Sequence, residues 1–117
     1  MARTPTTADA FNAVAEPQRR RIIDLLSGGE RSVNDIAAAL HMRQPQVSKH
    51  LHVLREVGLV RVRDEGRQRL YALNSEALRP IYEWVSPYER HWRESFERLD
   101  ELLKEMQAGE QGGSPAS

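Results

Sequence analysis

Between Gln44 and Val60 the apolar positions Val47, Leu51 and Leu54 recur at intervals of four and three, which predicts a helix over 44–57 with one buried stripe. The other faces carry Gln44, Gln46, Ser48, Lys49, His50, His52 and Arg55, with Glu56 the one acid among them. A short helix with a single anchoring stripe and a polar, basic remainder suits insertion into a DNA major groove. It suits an ordinary solvated amphipathic helix equally well, so its neighbours must decide.

Upstream, Phe11 and Val14 mark one side of a first helix that starts near Ala8 and stops before Pro17. Pro17 fits the first turn of a second helix, whose stripe is Ile22, Ile23 and Leu26 and whose end is Gly28-Gly29. Arg19, Arg20 and Arg21 lie outside that stripe, either solvated or against phosphate. Ser32 is a good cap for a third helix, with Asp35 in its first turn and Ile36, Ala37 and Leu40 as its stripe. Only His41-Met42-Arg43 separates this helix from the one at 44, the tight connection of a helix-turn-helix.

Downstream, Gly58 ends the fourth helix. Leu59-Val60-Arg61-Val62-Arg63 then alternates apolar and basic with the period of a half-buried strand. Asp64-Glu65-Gly66 reads as a turn and Arg67–Leu73 as the returning strand, so that Arg63, Arg67 and Arg69 surround the tip of a basic hairpin spanning 59–73. The expected fold class is therefore mainly α with a small β-hairpin: a winged helix-turn-helix closed by a long C-terminal helical segment. Ser75–Arg79 forms a turn into that segment, and Pro80 falls in its first helical turn. Along it Ile81, Trp84, Val85, Tyr88, Trp92, Phe96, Leu99 and Leu103 follow helical spacing, and Ser86-Pro87 is expected to kink or restart the helix. So long an aromatic stripe exceeds what a small domain can cover, which points to a second copy across a two-fold axis; the alternative is that it folds back on its own domain. Residues 1–7 read as a flexible leader, 8–106 as the folded domain, and the Gly-, Gln- and Ser-rich 107–117 as a disordered tail.

Composition changes this picture in two places. The chain has no cysteine, which removes disulfides, thiolate metal sites and cysteine nucleophiles. Its formal net charge of zero hides a polarity. Arg43, Lys49, Arg55, Arg61, Arg63, Arg67 and Arg69 outnumber Glu56, Asp64 and Glu65 in the middle, while acids outnumber bases from Glu89 onward. With 117 residues one domain is expected. There is no apolar run of membrane-spanning length and no secretory h-region at the start, so a cytoplasmic location is expected. No Gly-rich phosphate loop and no convergent nucleophile–base set argues for an enzyme.

Helix-turn-helix, wing and flanking helices in this order resemble the ArsR/SmtB family of bacterial winged-helix repressors over about residues 8–106. The similarity is sharpest at Gln46-Val47-Ser48-Lys49-His50-Leu51-His52-Val53-Leu54-Arg55-Glu56-Val57-Gly58-Leu59-Val60, with support from Pro17–Leu26 and from Gly66–Leu73. The resemblance implies a homodimer whose first and last helices, through Phe11, Val14 and the C-terminal stripe, form the interface. It also implies that the fourth helices enter successive major grooves of a near-palindromic operator. Two departures stand out. Arg43 occupies a position often held by serine, leaving the cap to Gln44 or water. The family's metal-sensing sets are also missing: the third helix has no thiol, and the last offers only His91 with Glu94. His50 and His52 would point about 200° apart on a helix, a poor chelate. Neither a metal nor a cofactor is expected, and the Trp84/Tyr88/Trp92 spacing looks like the metal-free branch.

The expected DNA contacts divide into two groups. Gln44, Gln46, Ser48, Lys49 and His52 would address base edges, Gln46 suiting adenine and Lys49 guanine. Arg43, Arg55, Arg63, Arg67 and Arg69 would hold phosphates, or in one wing position the minor groove. His50 either joins the base contacts or lies partly buried under the helix. Two alternatives remain: a winged-helix protein-interaction module, and a sensor with an unidentified small-molecule effector near Trp84, Tyr88 and Trp92.

Overall fold

The computed structural model describes residues 9–113, and side chains as far as 109. The chain divides into two compact units, 1–81 and 82–117. In the first, α1 (Ala10–Ala15), α2 (Pro17–Leu26), β1 (Arg31–Ser32), α3 (Val33–Leu40) and α4 (Gln44–Glu56) precede a hairpin of β2 (Val60–Glu65) and β3 (Gln68–Leu73). A 3-10 turn (Ser75–Leu78) then leads into α5 (Arg79–Gly113), which makes up the described part of the second unit.

Each helix starts and stops for a local reason. Asp9 caps α1 by accepting from Asn12 N at 2.7 Å. Glu16 caps α2, with Pro17 at its first position. Ser32 caps α3 by accepting from Asp35 N at 3.1 Å, as expected. The exit of α4 is a Schellman motif. Gly58, at φ 81°, donates to Arg55 O at 3.0 Å, while Leu59 donates to Leu54 O at 2.8 Å, and both of those leucines are buried. The α3–α4 turn is His41-Met42-Arg43, with His41 left-handed at φ 55° and Met42 N donating to Ala37 O.

The core of this unit joins Ile22, Ile23 and Leu26 of α2 to Ile36 of α3 and to Val47, Leu51 and Leu54 of α4. Leu59, Val60 and Tyr71 close it from the wing. The stripes read for α2 and α4 are thus buried, as is Ile36 of α3, whereas α1 buries Ala10 and Ala13 rather than Phe11 and Val14.

Four expectations need correction. The sheet has three strands, in the order β1-β3-β2 and all antiparallel, with Arg31 opposite Tyr71 and Ser32 opposite Leu70. The hairpin loop is Gly66-Arg67, because Glu65 pairs with Gln68. Gly66, at φ 63°, fills the first loop position, where a type II′ turn needs glycine. Helix α5 is continuous through Ser86-Pro87, so no second helix starts there. Pro87 has no N–H for Glu83 O, and the Ser86 hydroxyl approaches that carbonyl at 3.4 Å instead. Finally, α5 runs to Gly113, beyond the boundary expected at 106, because Met106-Gln107-Ala108 favour helix. The leader at 1–7 and residues 114–117 lie outside the described residues.

Candidate nucleic-acid interface

Helix α4 sits with Val47, Leu51 and Leu54 against α2 and α3, which leaves Gln44, Gln46, Ser48, Lys49, His52 and Arg55 exposed. At about 100° per residue, Lys49 and His52 lie near the middle of the exposed arc, Gln44 and Ser48 toward one edge and Gln46 at the other. Arg43 occupies the cap position without a side-chain bond, and Pro45 in the first turn removes one donor that would need a partner. His52 is engaged along the helix, its Nε2 being 3.4 Å from Glu56 Oε2. Among the described residues no acidic partner lies within ion-pair distance of Lys49, Arg43 or Arg55.

The wing is held beside α4 by Asn74, whose Nδ2 donates to Gly58 O at 2.8 Å and whose N–H donates to Leu59 O at 2.8 Å. This brings Arg67, Gln68 and Arg69 of the hairpin to a cleft of about 210 Å³ shared with Gln44 and with Ser32, Val33 and Asn34. Asn34 and Gln68 are the residues here that sequence reasoning missed. The Ser32 cap signal had placed the start of α3, but not its proximity to the wing tip.

Arginine side chains are divided by what surrounds them. Arg67 is exposed and free of acids, while Arg69 has Asp64 across the hairpin at 3.5 Å. Arg63 is paired through all three of its guanidinium nitrogens. Its Nε and Nη2 donate to the Glu30 carboxylate, and its Nη1 donates to Glu65 Oε1 at 2.6 Å. These bonds hold the Glu30 carboxyl below its usual range and push the Arg63 guanidinium up. The arginines of the α2 run donate to the carbonyl ends of neighbouring helices, while Arg20 and Arg21 remain exposed to solvent. Arg19 donates to Ala13 O at 2.6 Å and Asn12 O at 3.2 Å, and Arg20 to Val14 O at 2.7 Å, so both cap the carbonyl end of α1. Arg21 donates to Leu40 O at 3.0 Å, the carbonyl end of α3.

His50 is half-buried on the side of α4 that faces α2, away from the exposed arc. Burial pushes its imidazole below the ordinary value; Arg19 and Lys49 add repulsion, and Glu16 opposes them. A histidine depressed in the fold binds its proton more readily when unfolded. Its contribution to stability is therefore complete above about pH 6.5 and is lost as pH falls toward the folded value. The urea midpoint of the wild type should drop between pH 7 and 5, and His50→Gln should flatten that drop. Equal pH slopes for the two proteins would refute this. Glu30 does not interfere, since its depressed carboxyl titrates only below its ordinary 4.5.

Most residues expected at an interface between copies fall into two sets, with the exposed Phe11 and the half-buried Val85 outside them. Val14 and Ile81 are partly buried against the first unit's own core, where they border an apolar cleft of about 280 Å³ with Ile23 and Leu78. In the second unit Trp84, Tyr88, Trp92, Phe96, Leu99 and Leu103 are exposed, and Tyr82, Leu102 and Met106, not singled out beforehand, extend the same surface. Trp84 and Tyr88 meet edge to face with centroids 6.3 Å apart. A concavity on α5 lies at Trp92 and Phe96, bordered by Glu89, Glu97 and Asp100, rather than at Trp84. Among the described residues no three His, Asp or Glu side chains form a metal-binding group, and no helix is long and apolar enough to cross a membrane.

Residues 16–62 match the family described as "Bacterial regulatory protein, arsR family". The chain is 32% identical over 77 residues to the transcriptional repressor SdpR of Bacillus subtilis, covering 66% of this chain and 86% of that protein. It is 35% identical over 81 residues to a transcriptional repressor SmtB homolog of Synechocystis, covering 69% of this chain but only 61% of that one. A solution structure from Mycobacterium bovis, described as the homodimeric winged helix-turn-helix DNA-binding domain of a possible ArsR-family regulator, superposes with a TM-score of 0.59. It is 31% identical and covers 77% of this chain and 91% of that one. This chain belongs to the arsR family of bacterial regulatory proteins.

Proposed function

We propose that this protein is a transcriptional repressor that binds double-stranded DNA as a homodimer and excludes polymerase from a near-palindromic operator. The observation that carries the reading is the continuity of one exposed surface. The N-terminal half of α4, with Gln44, Gln46, Ser48 and Lys49, runs across a shared cleft to the wing tip at Arg67 and Arg69. Amide and hydroxyl groups that can read base edges thus lie beside cations that can hold phosphates. Across a two-fold axis, two such surfaces would meet half-sites about one helical turn apart. The homodimeric relative from Mycobacterium bovis supports the two-fold arrangement, and the repressors SdpR and SmtB support the direction of regulation. A role on chromosomal DNA places the protein in the cytoplasm.

Selection of bound fragments from genomic DNA, followed by gel-shift titration on the selected fragment, tests this. Lys49→Ala should weaken binding by about tenfold or more through a lost base contact, with less effect on random DNA. Arg67→Ala should weaken binding to both and lower the salt slope by about 0.9. Both variants should sediment as the wild type does. Undiminished binding by both would overturn the assignment.

A further inference from the structure

Arg63 was expected at the phosphates, yet all three of its guanidinium nitrogens donate to Glu30 or Glu65, on a side chain that is 53% exposed. Glu30 lies in the turn just before β1, and Arg63 on β2, at the other edge of the sheet. With Arg63 opposite Leu70 on β3, and Leu70 opposite Ser32 on β1, the Arg63 side chain must cross the central strand to reach Glu30. Strands about 4.8 Å apart make that a span of nearly 10 Å, within the combined reach of Arg and Glu. Glu65, two residues on and therefore on the same face of β2, takes the remaining Nη1. The cluster is exposed, so one pair of this kind would contribute little. A planar fork with three nitrogens engaged by two carboxylates is a different case: it fixes direction as well as distance.

We infer that Glu30, Arg63 and Glu65 form a strut that sets the angle of the wing to the helix-turn-helix, with Arg63 a positioning residue and not a DNA contact. The inference rests on the DNA-binding reading, and its test separates the two.

The full chain is titrated with a random-sequence duplex of about 30 base pairs over a range of salt, and Arg67→Ala serves as the reference for a lost phosphate contact. Arg63→Ala and Glu30→Ala carry opposite changes of charge. A strut predicts that both weaken binding, by about three- to tenfold, and that the double variant is no worse than either single one. The salt slope of Arg63→Ala should stay at the wild-type value, and Arg63→Lys, which keeps the charge but loses the fork, should behave like Arg63→Ala. Amide hydrogen exchange without DNA should quicken along 60–73 in each variant and leave α2 and α4 protected. Opposite effects of the two alanine variants, or a slope lowered by about one in Arg63→Ala, would make Arg63 an ordinary DNA-facing cation and overturn the strut. Unchanged hydrogen exchange would overturn it as well, even if the wild type bound no DNA. Wild-type binding that Arg67→Ala leaves intact would count against the interface itself.

Discussion

Leu51→Ala is expected to lower stability by about 2–5 kcal/mol, whereas Ser48→Ala and Gln46→Ala, on the same helix, should stay within about 0.5 kcal/mol of wild type. Leu51 is 1% exposed, between Val47 and Leu54 at 0% each, in one core cluster with the buried Ile22 and Ile36. Truncation there removes apolar contacts and leaves a cavity that four surrounding elements cannot close without moving. Ser48 and Gln46 project into solvent, so their loss has no packing cost. For a domain of this size the change at Leu51 corresponds to a fall in Tm of roughly 10–25 °C. DNA binding should show the reverse order: well below the melting temperature Leu51→Ala binds nearly as wild type, while Gln46→Ala loses discrimination of about 1–3 kcal/mol at one base pair. Thermal unfolding by circular dichroism, paired with binding to the selected fragment, reads both quantities. A Leu51→Ala protein as stable as wild type, or a Ser48→Ala protein that melts early, would show that the anchoring and reading faces of α4 have been exchanged.

That division of α4 was legible in the sequence because both causes are local. A 3.6-residue period reports burial, and short-range caps report where a helix begins, so Val47, Leu51, Leu54, Ser32 and Gly58 could all be placed from their immediate neighbours. What could not be placed depends on partners distant in sequence. Two residues, Arg31 and Ser32, show no period at all; they form a strand only because β3 offers them an open edge. Arg63 and Arg67 are indistinguishable as charges on a hairpin, and differ because Glu30, 33 residues away, meets one and not the other. Arg19, Arg20 and Arg21 read as a run either solvated or against phosphate until the carbonyl ends of α1 and α3 are brought beside them. Pro87 left two outcomes open, a kink or a restart, and the helix does not restart. The rule against internal proline is local and sound, but one lost hydrogen bond cannot end a helix whose other turns remain bonded on both sides. The proposed DNA-reading surface was therefore legible only as a set of residue types, and the folded chain separates the cations without an acidic partner from those bonded within the protein.

Leu99→Lys is expected to turn the protein into a monomer and to weaken operator binding by about 10²–10⁴-fold. Leu99 is 52% exposed in the isolated chain, in line with Trp92 at 49%, Phe96 at 68%, Leu103 at 47% and Met106 at 59%. From Tyr82 to Met106 this surface runs about 37 Å along α5, more contiguous apolar surface than a monomer usually leaves to water. A second copy laid against it would bury these rings and leucines, and a lysine introduced in its middle would then be desolvated without a partner, at a cost of several kcal/mol. The substitution lies in the second unit and Leu99 is not a member of the core cluster that holds α4 and the wing, so each monomer keeps both. What it loses is the tether that makes the second half-site an intramolecular encounter, and the size of that loss follows from effective concentration rather than from any contact with DNA. Sedimentation at micromolar protein should show half the wild-type mass. Titration on a single half-site should show little difference between the two proteins, and titration on the full operator a large one. A dimer that survives Leu99→Lys, or a monomer that binds the full operator as tightly as wild type, would rule out α5 as the element that joins two DNA-reading surfaces.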